Sequence, residues 1–321
     1  CNNTVTTANG KVVMTGTNTV TTANDTVYAS GINTITNASG IVNASGVNTV
    51  TTANNTVYVS GINTITTANG TVYVTGHANT ITTAAGNTHI TGYRNTITTA
   101  NGTVFITGGN GATNTVTTAS STVIITGGNN TVTTANGTVY ASGVNTVTNA
   151  SGTVNASGVN TITTANGTTN MSGVNTVTTA NGRVNASGIN TITTVASNAI
   201  ALVTGHTNTV TTNQGKIWMS GKSSTVTNAS NADIYITGNT STVTNADGGI
   251  IYITGNTASV ATSQGTLNIS GYSNTVTTAN GTTNMSGVNT VTTAQGTVNA
   301  SGVNTVTTAQ GTTNMSGTNT V

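Results

Sequence analysis

Few side chains in this sequence could perform acid–base, nucleophilic or metal chemistry. Charged residues make up 2% of the 321 positions, and the chain contains one Cys and three His. The acids are Asp25, Asp233 and Asp247, three scattered residues that cannot supply the clustered carboxylate pair of a glycosidase. Motifs for a serine nucleophile or a phosphate-binding loop are absent from the sequence as well. The sequence therefore predicts a protein that is not an enzyme and uses no cofactor.

The remaining polar groups do not predict a metal site or a nucleic-acid surface. His77 and His206 fall in the turn after slot 1 of the repeat described below and His89 at outward slot 13, and their spacing is not that of zinc ligands. Asp25 and Asp247 fall in predicted turns, where Asp is common. The formal net charge of +2 is spread over the whole chain. Such thin charge makes no basic patch, so nucleic acid is not an expected partner.

Threonine is the residue type whose spacing is regular enough to suggest a function. Pairs of Thr flank a Val or Ile, as in Thr19-Val20-Thr21 and Thr34-Ile35-Thr36. If the pairs lie on neighbouring strands, they form two parallel files about 4.8 Å apart between strands and about 6.7 Å apart along them. Such a lattice of hydroxyl and methyl groups could order water. The candidate water-ordering residues are Thr19, Thr21, Thr34, Thr36, Thr49, Thr51, Thr146, Thr148, Thr161, Thr163, Thr176 and Thr178.

The Thr pairs belong to a repeat of mostly 15 or 16 residues that begins at a Gly, as from Gly31 to Gly46 and from Gly76 to Gly92. We number the slots of one repeat from this Gly: G1-V2-N3-T4-V5-T6-T7-A8-N9-G10-T11-V12-Y13-A14-S15. A period this short fits one solenoid coil of two short strands and two turns. We therefore predict an all-β, single-chain parallel β-solenoid of about twenty flattened coils. It forms one continuous domain over 1–321, with an insert at Gly109-Asn110-Gly111 and irregular, longer coils at about 188–271.

Alternation within each strand predicts which slots face inward. Slot 5 is Val or Ile in every repeat, so the Thr residues at slots 4 and 6 face outward. In the second strand, slots 12 and 14 face inward and slots 11, 13 and 15 face outward. Slot 3 is almost always Asn and shares the parity of slot 5, so it should be buried and form an amide ladder between coils. The ladder begins at Asn18, Asn33, Asn48 and Asn63. The Thr or Asn at slot 7 is expected to cap the other turn in the same way.

Outward slot 13 carries the aromatic side chains of the chain in many repeats. They are Tyr28, Tyr58, Tyr73, Phe105, Tyr140, Trp218, Tyr235 and Tyr252. One interpretation is that aromatic rings on neighbouring coils stack and stabilise the sheet. The other is that an exposed aromatic stripe binds glycans or another copy of the chain.

The Thr-x-Thr array resembles that of insect antifreeze solenoids. The Asn-Thr-Val element is similar to the x-x-N-x-V-x-G repeat of grass ice-binding proteins, in which Asn and Val also point inward. The chain departs from both families, because it lacks the disulfides of the small insect proteins and its two half-repeats are unequal. The resemblance implies that the outward Thr face binds ice.

The favoured function is nevertheless that of an extracellular structural solenoid that stacks end to end into a surface filament. Coil sequence runs from Asn3 to Val321 without the charged, irregular caps that usually protect solenoid ends. The expected partner is therefore the chain itself, as a head-to-tail homopolymer. The candidate assembly residues are Cys1, Val5, Val306 and Val321. The alternatives are an ice-binding protein and an adhesin shaft, with ice or glycans as the ligand.

The expected location is extracellular or at the cell surface. A chain that begins at Cys1 resembles a mature bacterial lipoprotein, in which this cysteine carries a lipid anchor. The alternative is that Cys1 is an arbitrary boundary. A lone cysteine forms no intramolecular disulfide, and no apolar run approaches the roughly 20 residues that span a bilayer.

Overall fold

The computed structural model describes residues 1–109, 111–194, 198–228, 231–245 and 248–321. Asn110, at the centre of the predicted insert, and Asp247 lie outside the described residues. Strands make up 96% of the described chain, and these ranges contain no helix. The fold is a parallel β-solenoid, which confirms the predicted fold class.

Six strands follow one another in a single sheet, in the order β1 to β6. Their bounds are β1 Asn2–Thr107, β2 Thr113–Thr194, β3 Ile200–Thr212, β4 Gly215–Asn228, β5 Ala232–Asn245 and β6 Ile250–Thr320. The longest, β1, has 106 residues because it winds through several coils and its turn residues also pair with the coil before. The chain divides into two compact units, Cys1–Asn160 (unit 1) and Thr161–Val321 (unit 2).

Parallel register places identical slots of consecutive coils beside one another. In unit 1, Thr96 pairs with Thr115 and Val104 pairs with Val123. In unit 2, Val210 pairs with Val226, which in turn pairs with Val243. Because every coil repeats the pattern of the one before, each slot becomes a file of like side chains.

The core of each coil is a small set of aliphatic side chains at slots 5, 12 and 14. In unit 1, Val20 and Ile35 at slot 5 and Val27 at slot 12 are buried, as is the smaller Ala29 at slot 14. The alternation of slots therefore directs side chains as predicted. A single coil buries too little apolar surface to be stable alone, so it depends on the coils stacked against it.

The predicted Asn ladder is confirmed. In unit 1 the amide Nδ2 of Asn18 donates to Oδ1 of Asn33, Asn33 to Asn48 and Asn48 to Asn63, each over 2.7 Å. The same amides also donate to turn carbonyls, as Asn33 does to the backbone oxygen of Ser45 over 3.1 Å. In unit 2 an equivalent ladder joins Asn274 to Asn289 over 2.9 Å and continues to Asn304.

The number of turns differs from the prediction. The solenoid has about 13 turns with Asn ladders, whereas the Gly spacing predicted about twenty coils. After Thr194, strands of 13 and 14 residues alternate with short breaks. There Ser224, Ser241 and Ala258 occupy the buried ladder position and interrupt the run of Asn.

The turn at slot 1 requires Gly for two reasons. Gly31 and Gly46 have φ angles of 111° and 108°, in the region that L side chains rarely adopt. A Cβ atom at Gly46 would also collide with the backbone oxygen of Gly31 in the coil before. The Gly file therefore lets the turns of consecutive coils stack directly on each other.

The longer coils contain bulges at the same turn. The register shifts between Gly188 and Ile189, because Gly188 pairs with Gly205 but Ile189 pairs with Thr207. His206 is therefore the extra residue of a β-bulge. The insertion leaves slots 3 to 6 of this coil in register.

In several of the described coils the predicted caps at slot 7 do not form. The hydroxyls of Thr52, Thr67 and Thr83 are buried without a hydrogen-bond partner among the described residues. A Thr side chain is shorter than that of Asn and does not reach the turn backbone. Asn37, which does reach it, donates from Nδ2 to the backbone oxygen of Asp25 over 3.0 Å.

Candidate functional site

The Thr face, defined as the outward Thr residues at slots 4 and 6, is exposed in both units. In unit 1 the exposed members include Thr19, Thr21, Thr34, Thr36, Thr49, Thr51, Thr146 and Thr148. In unit 2 they include Thr161, Thr163, Thr176 and Thr178. Their orientation follows from burial of the slots next to them, because the Asn ladder holds slot 3 inward and the aliphatic core holds slot 5 inward.

Threonines of successive coils lie side by side. In unit 1, Thr96 and Thr98 pair with Thr115 and Thr117. In unit 2, Thr209 pairs with Thr225, which pairs with Thr242. The file is interrupted at the next coil, where Ser259 and Ala261 occupy slots 4 and 6.

The Thr face is bordered by two further outward files that the sequence analysis did not single out. Slot 2 carries large aliphatic side chains, and Ile32, Val47 and Ile62 are about half exposed (57%, 47% and 52%). Slot 8 carries Ala, which is exposed at Ala38 and Ala53. The signal was present in the sequence, because slots 2 and 8 share the parity of slots 4 and 6. We call slots 2, 4, 6 and 8 together the outer face. Across each coil it typically presents Val or Ile at slot 2, Thr at slots 4 and 6, and Ala at slot 8.

The outer face is rich in methyl groups and nearly free of charge. Each of its four residue types carries a methyl group on its side chain, and only Thr adds a hydroxyl. Cationic side chains near it, such as Arg94 and Lys222, stand in the two-residue segment between slot 1 and slot 3 of longer coils. In unit 1 a shallow depression of about 410 Å³ includes Ile62, Ala78 and Arg94. The lattice is most regular from Gly31 to Thr66, where the repeats have 15 residues and no inserted residue.

The aromatic residues of slot 13 stack on each other. In unit 1 the rings of Tyr58 and Tyr73 lie 4.9 Å apart and 5° from parallel, and His89 and Phe105 continue the stack. In unit 2 Trp218, Tyr235 and Tyr252 form a second stack with centroids 5.5 and 5.2 Å apart. Neighbouring rings therefore cover each other's faces and expose mainly their edges. This arrangement favours the stabilising interpretation over sugar binding, because a sugar ring stacks on an open aromatic face.

Other members of the aromatic file stand outside these stacks. The ammonium group of Lys11 lies 5.0 Å from the ring centre of Tyr28, at cation–π distance. Tyr140 is exposed. Where slot 13 is Asn, an outward amide ladder forms instead, as from Asn284 to Asn268 and from Asn299 to Asn284, both over 2.8 Å.

A groove runs along slots 13 to 15 in each unit. The groove of unit 1 measures about 500 Å³ and has Tyr58, Ser45 and Ala44 in its lining. The groove of unit 2 measures about 660 Å³ and has Asn284, Met285 and Ser286 in its lining. Both arise because the inward slot 14 is set between two outward files.

The four candidate assembly residues differ in exposure. Cys1 is an exposed free thiol, and its backbone oxygen accepts from the amide of Thr17 over 3.0 Å. Val5 is half-buried, Val306 is 1% exposed and Val321 is 85% exposed. Val306 therefore belongs to the core of its coil.

The described residues hold no group of three or more His, Cys, Asp or Glu that could bind a metal. Within the same ranges there is no helix that could cross a bilayer. The chain matches no family model, no curated protein and no solved structure.

Proposed function

We propose that this chain is a non-enzymatic ice-binding protein and that it contacts ice through the outer face. The observation that carries the proposal is the register of the exposed Thr files, in which Thr stands beside Thr from coil to coil. A protein surface can hold an ice-like water layer only if its groups repeat with a fixed spacing. Parallel pairing fixes one spacing at about 4.8 Å and alternation along the strand fixes the other at about 6.7 Å.

The chemistry of the outer face suits ordered water. Thr hydroxyls can donate and accept hydrogen bonds, while the methyl groups of Thr, Val, Ile and Ala favour a cage-like layer of water around them. Charged groups would bind water too strongly and in the wrong geometry. The coils from Gly31 to Thr66 carry no charged residue at slots 2, 4, 6 or 8.

Rigidity of the face also supports this function. The Asn ladder joins every coil from Asn18 to Asn63 through buried hydrogen bonds of 2.7 Å between side-chain amides. A lattice whose spacing fluctuated would lose its match to ice. The buried ladder thus positions the Thr face from behind, although it never contacts the ligand.

The test is to place lysine on three neighbouring rungs of one Thr file. Thr34→Lys, Thr49→Lys and Thr64→Lys together insert three bulky charges into the most regular part of the lattice. We expect thermal hysteresis and inhibition of ice recrystallisation to be lost, with the circular dichroism spectrum unchanged. Substitution at exposed positions leaves the core intact.

A matched control carries the same charges on the opposite strand of the same coils. Ser45→Lys, Ser60→Lys and Thr75→Lys alter exposed residues at slot 15. This variant should retain full activity towards ice. Absence of both activities in the unaltered protein would contradict the proposal, as would equal losses in the two variants.

An ice-binding role requires contact with ice outside the cell. We therefore propose an extracellular or cell-surface location. Protease treatment of intact cells, followed by detection of the chain, tests the location separately from the activity.

A further inference from the structure

One carboxylate of unit 1 is buried without a positive partner. Asp25 stands at slot 10, where most coils have Gly, and only 2% of it is exposed. Its Oδ2 accepts a hydrogen bond from Oγ1 of Thr7, and its Oδ1 has no partner among the described residues. The one ion pair in the described ranges joins Lys216 to Asp233, with 3.7 Å between nitrogen and oxygen.

An unpaired charge at this depth needs compensation. Transfer of an isolated carboxylate from water into a protein interior is strongly unfavourable. A bound cation can compensate this charge.

Two polar side chains near Asp25 along the chain carry buried oxygen atoms without a partner among the described residues. Asn37 is 1% exposed, and its Nδ2 donates to the backbone oxygen of Asp25 over 3.0 Å, which holds the amide against this residue. The Oδ1 of Asn37 is buried with no partner among the residues described. The hydroxyl of Thr22, in the same coil as Asp25, is equally buried and unpartnered within those ranges.

A later coil provides an internal comparison. Asn55 occupies the same slot as Asp25, is also buried, and donates from Nδ2 to the backbone oxygen of Asn37 over 3.3 Å. Its amide supplies a donor and carries no charge. Slot 10 therefore accepts a buried side chain of this size, and Asp25 differs chiefly in bringing a negative charge to the turn.

We propose that Asp25, Asn37, Thr22 and Thr7 bind a hard cation, Na⁺ or Ca²⁺, inside this turn. Carboxylate, amide and hydroxyl oxygens are the ligands that such cations prefer, and the group contains no nitrogen or sulfur ligand. Na⁺ balances the single charge of Asp25. Ca²⁺ uses the same oxygens and leaves one net positive charge. The sequence predicted no metal site because it contains no cluster of His and carboxylates, whereas three of these four side chains are neutral.

Equilibrium dialysis measures the binding directly. Chelator-treated protein is dialysed against ²²Na⁺ or ⁴⁵Ca²⁺ in choline chloride, and the variants are Asp25→Asn and Asp233→Asn. We expect one ion per chain in the unaltered protein and in Asp233→Asn. Asp25→Asn should weaken binding by more than the roughly 10- to 100-fold typical of losing an outer-shell partner. The isotope that is retained identifies the cation.

Thermal unfolding gives a second readout. A cation that binds only the folded chain raises its melting temperature with increasing concentration. This rise should occur for the unaltered protein and Asp233→Asn but not for Asp25→Asn, which we expect to fold because Asn55 occupies the equivalent position. If Asp25→Asn fails to fold, Thr22→Val retains the charge, removes one oxygen and should weaken retention of the ion. Binding of neither isotope by the unaltered protein would overturn the proposal, as would equal binding by Asp25→Asn.

Discussion

A ladder Asn inside the run forms hydrogen bonds with the coil before it and with the coil after it. Asn48 accepts at Oδ1 from Asn33 and donates from Nδ2 to Oδ1 of Asn63, both over 2.7 Å. The same Nδ2 lies 3.1 Å from the backbone oxygen of Ser60. A buried amide in this position therefore joins three consecutive coils.

Replacing Asn48 with Ala tests how much the ladder contributes. The substitution leaves the amide of Asn33 and the oxygens of Ser60 and Asn63 short of a buried partner. Each unsatisfied group costs about 1–3 kcal/mol, so we expect a loss of about 3 kcal/mol or more in the free energy of unfolding. Denaturant titration followed by circular dichroism measures it.

Asn43→Ala is the matched control for this prediction. Asn43 occupies outward slot 13 and is only half-buried. Its removal should change the free energy of unfolding by less than about 0.5 kcal/mol, as is usual for surface substitutions. Similar losses in the two variants would contradict the importance of the inner ladder.

Residue-level prediction worked where alternation alone decides a side chain's direction. The inward Val, the inward Asn and the outward Thr follow from a period of two, which the sequence displays in every coil. The burial of Asp25 could not be predicted, because Asp in a turn is normally exposed and only the stacking of coils encloses it. The lack of a hydrogen-bond partner for the buried hydroxyl of Thr52 could not be predicted either. It depends on the distance from slot 7 to the turn backbone, and the alternation of residues carries no information on that distance.

At the scale of the element, the Gly turn controls how closely coils approach. A methyl group at Gly46 meets the backbone oxygen of Gly31, and its φ of 108° is unfavourable for Ala. We expect Gly46→Ala to lower the free energy of unfolding by roughly 2–4 kcal/mol, from backbone strain and displacement of the neighbouring turn. Thermal and denaturant unfolding give the value.

Gly109→Ala is a suitable comparison for the turn. A Cβ at Gly109 would meet nothing closer than the hydroxyl of Tyr93 at 3.4 Å, which is an ordinary contact. The stability of this variant should be nearly unchanged. Equal losses for the two substitutions would imply that Gly acts at slot 1 through the unfolded chain instead of through the turn.

The coil itself could be predicted from the sequence, and so could the turn that holds the extra residue of a longer coil. The Gly period indicates two strands and two turns, and the longer repeats indicate extra residues. The sequence has two residues, His206 and Thr207, between the Gly of slot 1 and the Asn of slot 3, which predicts an extra residue in this turn. Register in the structure places it directly after Gly205.

At the scale of the whole molecule, the end-to-end filament stays a prediction from the sequence. Electron microscopy of the unaltered chain over a range of concentrations tests it, with filaments as the expected outcome. Lysine at Val306 is unsuitable for this purpose, because that side chain is 1% exposed and its replacement would disrupt its own coil. Val321 is 85% exposed, so Val321→Lys adds a charge without loss of packing and should prevent polymerisation.

A chain that sediments as a monomer at every concentration tested would exclude the filament. This result would leave the ice-binding proposal intact, because the outer face needs no second copy. Filaments that persist in Val321→Lys would instead show that this residue is not at the junction.

The irregular positions have a further consequence for how the chain finds its native state. Residues 287–301 and 302–316 are nearly identical. During folding, either repeat can therefore pair almost equally well with the exposed strand edge of a coil that has already formed. Pairing that is displaced by one whole coil would retain the Val and Thr files and cost little locally. It would, however, separate Tyr58 from Tyr73 and align the bulge of His206 with an unbulged neighbour. The uneven coils thus favour the native register of pairing between coils during folding. A perfectly uniform chain would have many kinetic traps of nearly equal energy.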